Sequence, residues 1–158
     1  MSFAFPIRVY WEDTDAGGIV FYANYLKFME RARTEWLRSL GIEQQRLREQ
    51  SGGMFVVAET QLKYHRPARL DDQLLVTAQL RQSGSASLTL AQQVFARSAP
   101  ADDVHNASPA TKLLCEGTIR IGWVDAATMR PSRIPSSISE TLVRSGTPRA
   151  AEPQLDKP

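Results

Sequence analysis

The chain has 158 residues, and its 19 lysine and arginine residues against 17 aspartate and glutamate residues give a formal net charge of +2. This length fits one domain with a sizeable core, and the nearly even charge does not favour nucleic acid as a partner. A single cysteine, Cys115, excludes a disulfide scaffold, and the lack of a signal-peptide pattern or of an apolar run of about 18 residues predicts a cytoplasmic protein with no integral membrane segment.

A strand and a long helix are the first elements that the pattern predicts. Residues 5–12 alternate apolar and polar side chains, with Val9 and Trp11 among those expected on the buried side. Residues 22–40 have apolar side chains at helical spacing, which predicts about five turns of helix ending at Gly41. The predicted buried stripe is Tyr25, Phe28, Met29, Ala32, Trp36, Leu37 and Leu40, and the predicted polar side is Lys27, Glu30, Arg31, Arg33, Glu35 and Arg38.

A shorter helical or irregular piece follows over residues 42–50, and four strands are predicted after it because apolar and polar side chains alternate with period two. The strands span residues 57–65, 73–82, 88–94 and 113–123. Short turns connect most of them, which favours an antiparallel sheet with one apolar face packed on a single helix, an α+β domain. Cys115 lies in the last strand, where we expect a small buried hydrophobic residue.

The remaining segments are predicted to be irregular apart from one short helix. Residues 98–111 have no periodicity and indicate an exposed hairpin loop, and a short helix is expected over residues 136–143. Residues 145–158 are predicted to be a disordered tail, which leaves a single domain over residues 1–144. Apolar side chains on the far side of the sheet predict a homo-oligomer. These side chains are Leu75, Phe95 and Val124.

The junction between the first strand and the long helix is the candidate site for chemistry. It comprises Glu12-Asp13-Thr14-Asp15-Ala16-Gly17-Gly18. The simplest interpretation is a polar turn that caps the following backbone. A calcium-binding loop is disfavoured because Asn24 stands where its twelfth position needs glutamate. A phosphatase with an aspartate nucleophile is disfavoured because it would need a parallel sheet with crossover helices.

Acyl transfer to water is the functional interpretation that these residues allow. Gly17 and Gly18 let a ligand approach the backbone closely, and the amides near Tyr22 at the helix start can polarise a carbonyl oxygen. A nearby carboxylate can attack the carbonyl or activate water. A serine or cysteine triad is disfavoured because the chain has no Gly-x-Ser-x-Gly motif and neither His65 nor His105 has a convincing nucleophile partner.

Several runs of the sequence resemble one family. Residues 9–25, VYWEDTDAGGIVFYANY, and residues 28–35, FMERARTE, are similar to the hotdog-fold acyl-CoA thioesterases of the 4-hydroxybenzoyl-CoA thioesterase family. Within this family, the runs are most similar to the bacterial Tol-Pal-associated branch. Residues 64–72 and 129–135 also resemble that branch, and the likeness covers about residues 5–140. The resemblance implies a hotdog fold, in which an antiparallel sheet wraps around one long central helix. It also implies dimers that join their sheets, and commonly tetramers.

The resemblance implies an acyl-CoA substrate and roles for particular residues. Asp15 falls on the family's catalytic carboxylate, a nucleophile or general base, and the Tyr22 backbone amide falls on the donor to the thioester carbonyl. Asp13, Gly17 and Gly18 fall beside them as supporting residues around the substrate. The implied reaction needs no cofactor, and no metal site is expected.

Other residues have two interpretations each. Lys63, Arg66 and Arg69 fit the phosphates of CoA, but they also fit a solvated strand end. Glu30 resembles a helix-borne glutamate of the family, but a surface ion pair with a neighbouring arginine is the alternative. Tyr22 stands where the Tol-Pal branch often has histidine and the hydroxybenzoyl branch has tyrosine. The alternative to catalysis is a non-catalytic acyl-CoA or acyl-carrier binding or scaffold module linked to envelope or phospholipid machinery.

Overall fold

The structure, a computed structural model, describes residues 3–97 and 111–145. Its strands are β1 (Phe3–Arg8), β2 (Gly53–Tyr64), β3 (Gln73–Ser83), β4 (Ser87–Arg97) and β5 (Thr111–Asp125). Its helices are α1 (Asn24–Ser39), α2 (Gln44–Ser51) and α3 (Ser136–Arg144), and a single 3-10 turn spans Trp11–Asp13.

All strand pairs are antiparallel, and the strand order across the sheet is β1-β3-β4-β5-β2. Alternate side chains of the central strands are buried beneath α1, which confirms the predicted period of two. On β3 these buried side chains are Leu74, Val76, Ala78 and Leu80. The buried stripe of α1 is Tyr25, Phe28, Met29, Ala32, Trp36 and Leu37. A sheet wrapped on one long helix, the predicted α+β hotdog arrangement, is therefore confirmed.

The predicted helix ends agree closely with the structure. α1 ends just before Gly41, whose φ of +80° places it in the left-handed region that glycine adopts at little cost. The Gly41 N–H donates to the Arg38 carbonyl at 2.9 Å, and the Ile42 N–H donates to the Leu37 carbonyl at 2.9 Å. These bonds satisfy carbonyls that a helix end leaves unpaired. The short C-terminal helix is confirmed as α3.

The predicted first strand is too long. β1 ends at Arg8, and Trp11, expected on the buried side, is 81% exposed in the 3-10 turn. The cause is Asp13, whose carboxylate accepts a hydrogen bond from the Tyr10 N–H at 2.8 Å. This bond turns the chain away from the sheet before Trp11 can continue the alternation. Val9 is fully buried, as predicted.

β2 begins earlier than predicted and lies at one edge of the sheet. It begins at Gly53 rather than residue 57, and a Cβ atom on Gly53 would lie 2.4 Å from the Trp123 ring, so only glycine fits there. β2 pairs with β5 rather than with β3, for example Phe55 opposite Trp123. It is therefore an outer strand of the sheet, and residues 65–72 pass from one side of the sheet to the other.

Arg33, predicted on the polar side of α1, is buried instead, with 8% of its surface exposed. Its Nη1 donates to Oε1 of the fully buried Gln92 at 2.9 Å. The Gln92 Nε2 in turn donates to the carbonyls of Met29 at 3.0 Å and Thr77 at 3.1 Å. Burial lowers the pKa of Arg33 from its usual range, while the charge of Glu30 opposes that shift. One amide side chain thus joins the helix backbone, a strand backbone and a guanidinium group.

Two further core predictions have different outcomes. Cys115 is buried, as predicted, and its burial, with a smaller effect from Glu116, raises the pKa of the thiol to about 11. The thiol is therefore protonated at neutral pH and acts as a core side chain. Val124, expected on an exposed apolar surface, is 6% exposed because the chain folds back over β5 and pairs Pro131 with it. Leu75 and Phe95 are half-buried.

Some predictions fall partly or wholly outside the described residues. These are the loop over residues 98–111 with its His105, and the tail from residue 145 onward. In the two described segments, no helix is both long enough and apolar enough to cross a membrane. The oligomeric state stays a prediction.

We expect Gln92→Leu to lower the free energy of unfolding by about 3 kcal/mol, because it leaves a buried guanidinium and two carbonyl groups without their partner. The measurement is urea unfolding followed by circular dichroism. Gln93→Leu is the matched control, since the Gln93 side chain is half-buried on the opposite face of β4. Equal losses for the two variants would contradict a special role for Gln92.

Candidate active site

A short hairpin between β1 and α1 holds the predicted site residues. The Phe21 N–H donates to the Asp13 carbonyl at 3.0 Å, and the Asp15 N–H donates to the Ile19 carbonyl at 2.9 Å. Between these bonds, Thr14 and Val20 form an isolated antiparallel bridge. We call residues 13–21 the catalytic hairpin, after the catalytic role that the sequence predicts for Asp15. Its second arm runs directly into the start of α1.

The tip of the catalytic hairpin is shaped by its two glycines. The Gly18 N–H donates to the Asp15 carbonyl at 3.0 Å, which closes the turn. Gly18 has a φ of +75°, and a left-handed residue after such a turn is typical of a three-residue hairpin loop. A Cβ on Gly17 would lie 3.1 Å from Oδ1 of Asp15, so the absence of a side chain gives that carboxylate its room.

The carboxylate of Asp15 is fixed at the tip by one of its two oxygens. Oδ1 accepts a hydrogen bond from the Gly17 N–H at 2.8 Å, a local contact that limits rotation of the side chain. Over the described part of the chain, Oδ2 has no hydrogen-bond donor, and the residue is exposed. The bond to Oδ1 therefore orients the carboxylate and leaves Oδ2 available for reaction.

Asp13 holds the base of the catalytic hairpin rather than its open face. It is 6% exposed, and its carboxylate is occupied by the Tyr10 N–H. Its carbonyl accepts the Phe21 N–H and also Nδ2 of Asn24 at 2.8 Å. Asn24 is the first residue of α1, so its buried side chain ties the helix start to the hairpin. The geometry supports the supporting role of Asp13, and its contact with substrate stays a prediction.

The start of α1 supplies unpaired backbone donors next to the hairpin. Neither the Tyr22 nor the Ala23 N–H has an acceptor among residues 3–97 and 111–145. The Tyr22 side chain is 65% exposed. Because the first amides of a helix carry partial positive charge, this end of α1 favours an oxyanion. The predicted donor Tyr22 therefore follows directly on the hairpin arm that faces Asp15.

The segment after β2 lies against the hairpin and the helix start. The Val20 N–H donates to the Ala68 carbonyl at 2.9 Å, and the Ala68 N–H donates to the Tyr25 hydroxyl at 3.0 Å. The Tyr64 hydroxyl donates to the Tyr22 carbonyl at 2.8 Å. Sequence reasoning missed Tyr64 and Asn24 as residues of this region, although both lie within the runs that carried the family resemblance.

The three basic residues predicted to bind the CoA phosphates lie in different places. Arg69 lies beside the catalytic hairpin, since its backbone bridges to that of Ile19. Arg66 is exposed in the same segment. Lys63 is exposed on β2 opposite Glu116, on the face of the sheet away from the one that Tyr64 shares with Cys115. Arg69 is therefore the nearest of the three to the hairpin by backbone pairing, and the binding roles of all three stay predictions.

Other titratable groups lie apart from the hairpin. His65 contacts Glu116, with Nε2 to Oε1 at 3.1 Å, and so is a strand-end histidine as predicted. Glu30 accepts a hydrogen bond from the Thr34 hydroxyl at 3.1 Å, and within the described segments it forms no ion pair with an arginine, the alternative interpretation of this residue. No group of three His, Cys, Asp or Glu side chains suited to a metal occurs in the described segments.

Comparison with known sequences places this chain in one superfamily. The sequence profile of the thioesterase-like superfamily matches residues 9–142. A Haemophilus influenzae relative named acyl-CoA thioesterase YbgC is 38% identical over 137 residues, which cover 87% of this chain and 91% of the relative. An Escherichia coli O6:H1 relative named acyl-CoA thioester hydrolase YbgC is 39% identical over 136 residues, covering 86% and 92%.

Solved structures have the same fold. A probable thioesterase from Bartonella henselae superposes with a TM-score of 0.70 at 28% identity, covering 85% of this chain and all of the other. The 4-hydroxybenzoyl-CoA thioesterase from Pseudomonas sp. strain CBS-3 superposes with a TM-score of 0.77, covering 89% of this chain and 98% of the other. The latter is 17% identical and so shows the fold alone.

We expect Gly18→Ala to lower the free energy of unfolding by about 1–2 kcal/mol, because a Cβ disfavours the left-handed backbone of the tip. Urea unfolding measures the change. Gly122→Ala is the control, since Gly122 has no positive φ and the nearest atom to its Cβ would be the Ala86 carbonyl oxygen at 3.9 Å. A Gly18→Ala protein as stable as the control would show that the tip tolerates a side chain.

Proposed function

The chain belongs to the thioesterase-like superfamily, and we propose that it hydrolyses acyl-CoA thioesters at the catalytic hairpin, with Asp15 as nucleophile or general base and the Tyr22 amide polarising the thioester carbonyl. The acyl-CoA substrate and the hydrolytic activity rest on relatives at 38–39% identity that cover most of both chains. The residue roles rest on the geometry of the hairpin. One observation carries them: a carboxylate with a free oxygen lies on the first arm of the hairpin, and a helix-start amide without an acceptor directly follows its second arm.

In the proposed reaction, the Tyr22 amide and the Asp15 carboxylate act on the same thioester carbonyl group. As the carbonyl carbon is attacked, its oxygen becomes an anion that accepts the Tyr22 N–H. A donor of this kind stabilises such a transition state by about 2.7–4 kcal/mol. Asp15 either adds to the carbonyl carbon and forms an anhydride that water then hydrolyses, or removes a proton from water as the water attacks. Both routes release CoA thiol and a free acid without a cofactor.

The exposure of the site favours a dimer in which a second copy of the chain covers the substrate-binding surface. Asp15 and Tyr22 are exposed, and so are residues 57–61 of the outer strand β2. An unpaired strand edge presents N–H and C=O groups that another strand can pair with. Val57 is 53% exposed on this edge. We propose that β2 of two copies pair, giving a dimer or a dimer of dimers.

A dimer of this kind also provides a path for the substrate. β2 ends at Tyr64, whose hydroxyl reaches the Tyr22 carbonyl, so the partner's strand would lie close to the site. The pantetheine arm would enter between the two copies, with Arg69, Arg66 or Lys63 facing the phosphates. The proposed compartment is the cytoplasm, and an association with Tol-Pal or envelope machinery stays a prediction.

We expect Asp15→Asn to lower kcat for acyl-CoA hydrolysis by about 10²–10⁴-fold with little change in KM, because the amide can neither attack nor accept a proton. The measurement is release of CoA thiol from short, long and aromatic acyl-CoA substrates. This panel also identifies the preferred acyl group.

Asp71→Asn is the matched control for Asp15→Asn. Asp71 is an exposed aspartate outside the hairpin, and asparagine tolerates its φ of +68°. We expect the control to keep wild-type kcat. Full activity in Asp15→Asn would overturn the catalytic assignment, and a wild-type protein that binds acyl-CoA without turnover would favour the binding module.

We expect Val57→Lys to convert the oligomer to a monomer and to abolish most of the activity, because a charge on a strand edge opposes pairing with a second copy. Light scattering after size-exclusion chromatography measures the mass. Val143→Lys is the control, since Val143 is an equally exposed valine, at 55%, on α3 rather than on a strand of the sheet. A Val57→Lys protein with unchanged mass would place the interface elsewhere.

A further inference from the structure

We propose that Tyr64 is a positioning residue for the reaction: its hydroxyl anchors the peptide between Tyr22 and Ala23 and thereby sets the direction of the helix-start donors. The Tyr64 hydroxyl donates to the Tyr22 carbonyl oxygen at 2.8 Å. This inference rests on the proposed function of the hairpin. It adds a residue 42 positions away in the chain, on a strand that pairs with neither the hairpin nor α1.

The ring of Tyr64 is held on two sides, so its hydroxyl has a defined position. Its centroid lies 5.5 Å from the Tyr25 ring at an interplanar angle of 71°, and 6.5 Å from the Tyr22 ring at 80°. Edge-to-face contacts at these distances are favourable for aromatic pairs. Tyr25 is buried in the core, which provides a rigid support.

The backbone at Tyr64 is held by β5, and four residues later it is held by the hairpin. Tyr64 pairs with Cys115 of β5, and the following His65 N–H donates to the Leu114 carbonyl at 2.8 Å. Four residues after Tyr64, the Ala68 carbonyl accepts the Val20 N–H of the hairpin. Tyr64 therefore reaches the helix start from a backbone that is fixed at both ends.

The hydrogen bond acts on the peptide that bears one of the unpaired donors. The Tyr22 carbonyl and the Ala23 N–H belong to the same peptide group, and the Tyr22 N–H lies on the preceding one. Donation to the carbonyl polarises the peptide, so the Ala23 N–H becomes a stronger donor. It also limits rotation of the Tyr22 backbone, on which the direction of both N–H groups depends. Preorganised donors of this kind are what an oxyanion requires.

A direct role of Tyr64 as acid or base does not fit the same observations. Its proton is used in the bond to the Tyr22 carbonyl. Burial raises the pKa of Tyr64 above its usual range, with smaller contributions from Cys115, Tyr25 and Tyr22. The phenol is therefore protonated at neutral pH and remains a donor. A purely structural role is also a poor fit, because the side chain is 46% exposed and its bond is at the surface.

The test is Tyr64→Phe, which removes the hydroxyl and keeps the ring. We expect kcat for acyl-CoA hydrolysis to fall about tenfold, the factor that one hydrogen bond typically contributes, with KM and Tm close to those of wild type. Tyr10→Phe is the control and should keep wild-type kcat. It also removes an exposed phenol hydroxyl, one that has no hydrogen-bond partner within residues 3–97 and 111–145. Unchanged kcat in Tyr64→Phe, or a fall in kcat only in proportion to a fall in folded protein, would overturn the proposal.

A second measurement separates this proposal from the proposed function. In protein with ¹⁵N-labelled alanine, a hydrogen bond to the Tyr22 carbonyl deshields the Ala23 nitrogen, so its resonance should move upfield in Tyr64→Phe and stay in place in Tyr10→Phe. An unmoved resonance would overturn the anchoring of the peptide, whatever the kinetics. If the resonance moves but wild-type protein and Asp15→Asn both lack turnover, the proposed function fails and the anchoring contact stands.

Discussion

The packing of α1 on one face of the sheet is the constraint on which the rest of the molecule depends. The buried stripe of this helix has the inner face of the central strands as its partner surface, and the apolar residues of both surfaces form one core. A helix on a smooth apolar face could slide or rotate at small cost. The contact of Arg33 with Gln92, and of Gln92 with the Met29 carbonyl, fixes the position of the helix on the strands.

Once α1 is fixed, the position of the catalytic hairpin follows from short connections. The hairpin lies directly before the helix, and Asn24 joins the helix start to the Asp13 carbonyl. The glycines at the tip leave room for the Asp15 carboxylate. The core thus places a helix end, with its unpaired amides, directly after the hairpin that bears the exposed Asp15 carboxylate, although neither group belongs to the core itself. Stability and chemistry are connected through the first turn of one helix.

Much of the fold was predictable because periodicity reports how a local stretch of backbone lies between core and solvent. The 3.6-residue spacing of α1, the alternation of β3 and the glycine after α1 all belong to this class. The same reasoning was wrong for Trp11 and Arg33. A carboxylate three residues beyond Tyr10 turned the chain before Trp11, and a glutamine 59 residues from Arg33 made its burial possible. Neither Asp13 nor Gln92 changes the spacing of apolar residues around Trp11 or Arg33, so that spacing could not reveal these contacts.

The sequence by itself determined the class of the fold, the extent of the long helix and the composition of the hairpin with Asp15, Gly17 and Gly18. Residues adjacent in the chain decide those features, since turns and helix ends depend on local backbone preferences. Only the tertiary structure decided that β2 is an outer strand and that Tyr64 reaches the Tyr22 carbonyl. These contacts join residues far apart in the chain, and their geometry follows from how the helix and the strands pack together rather than from any local pattern.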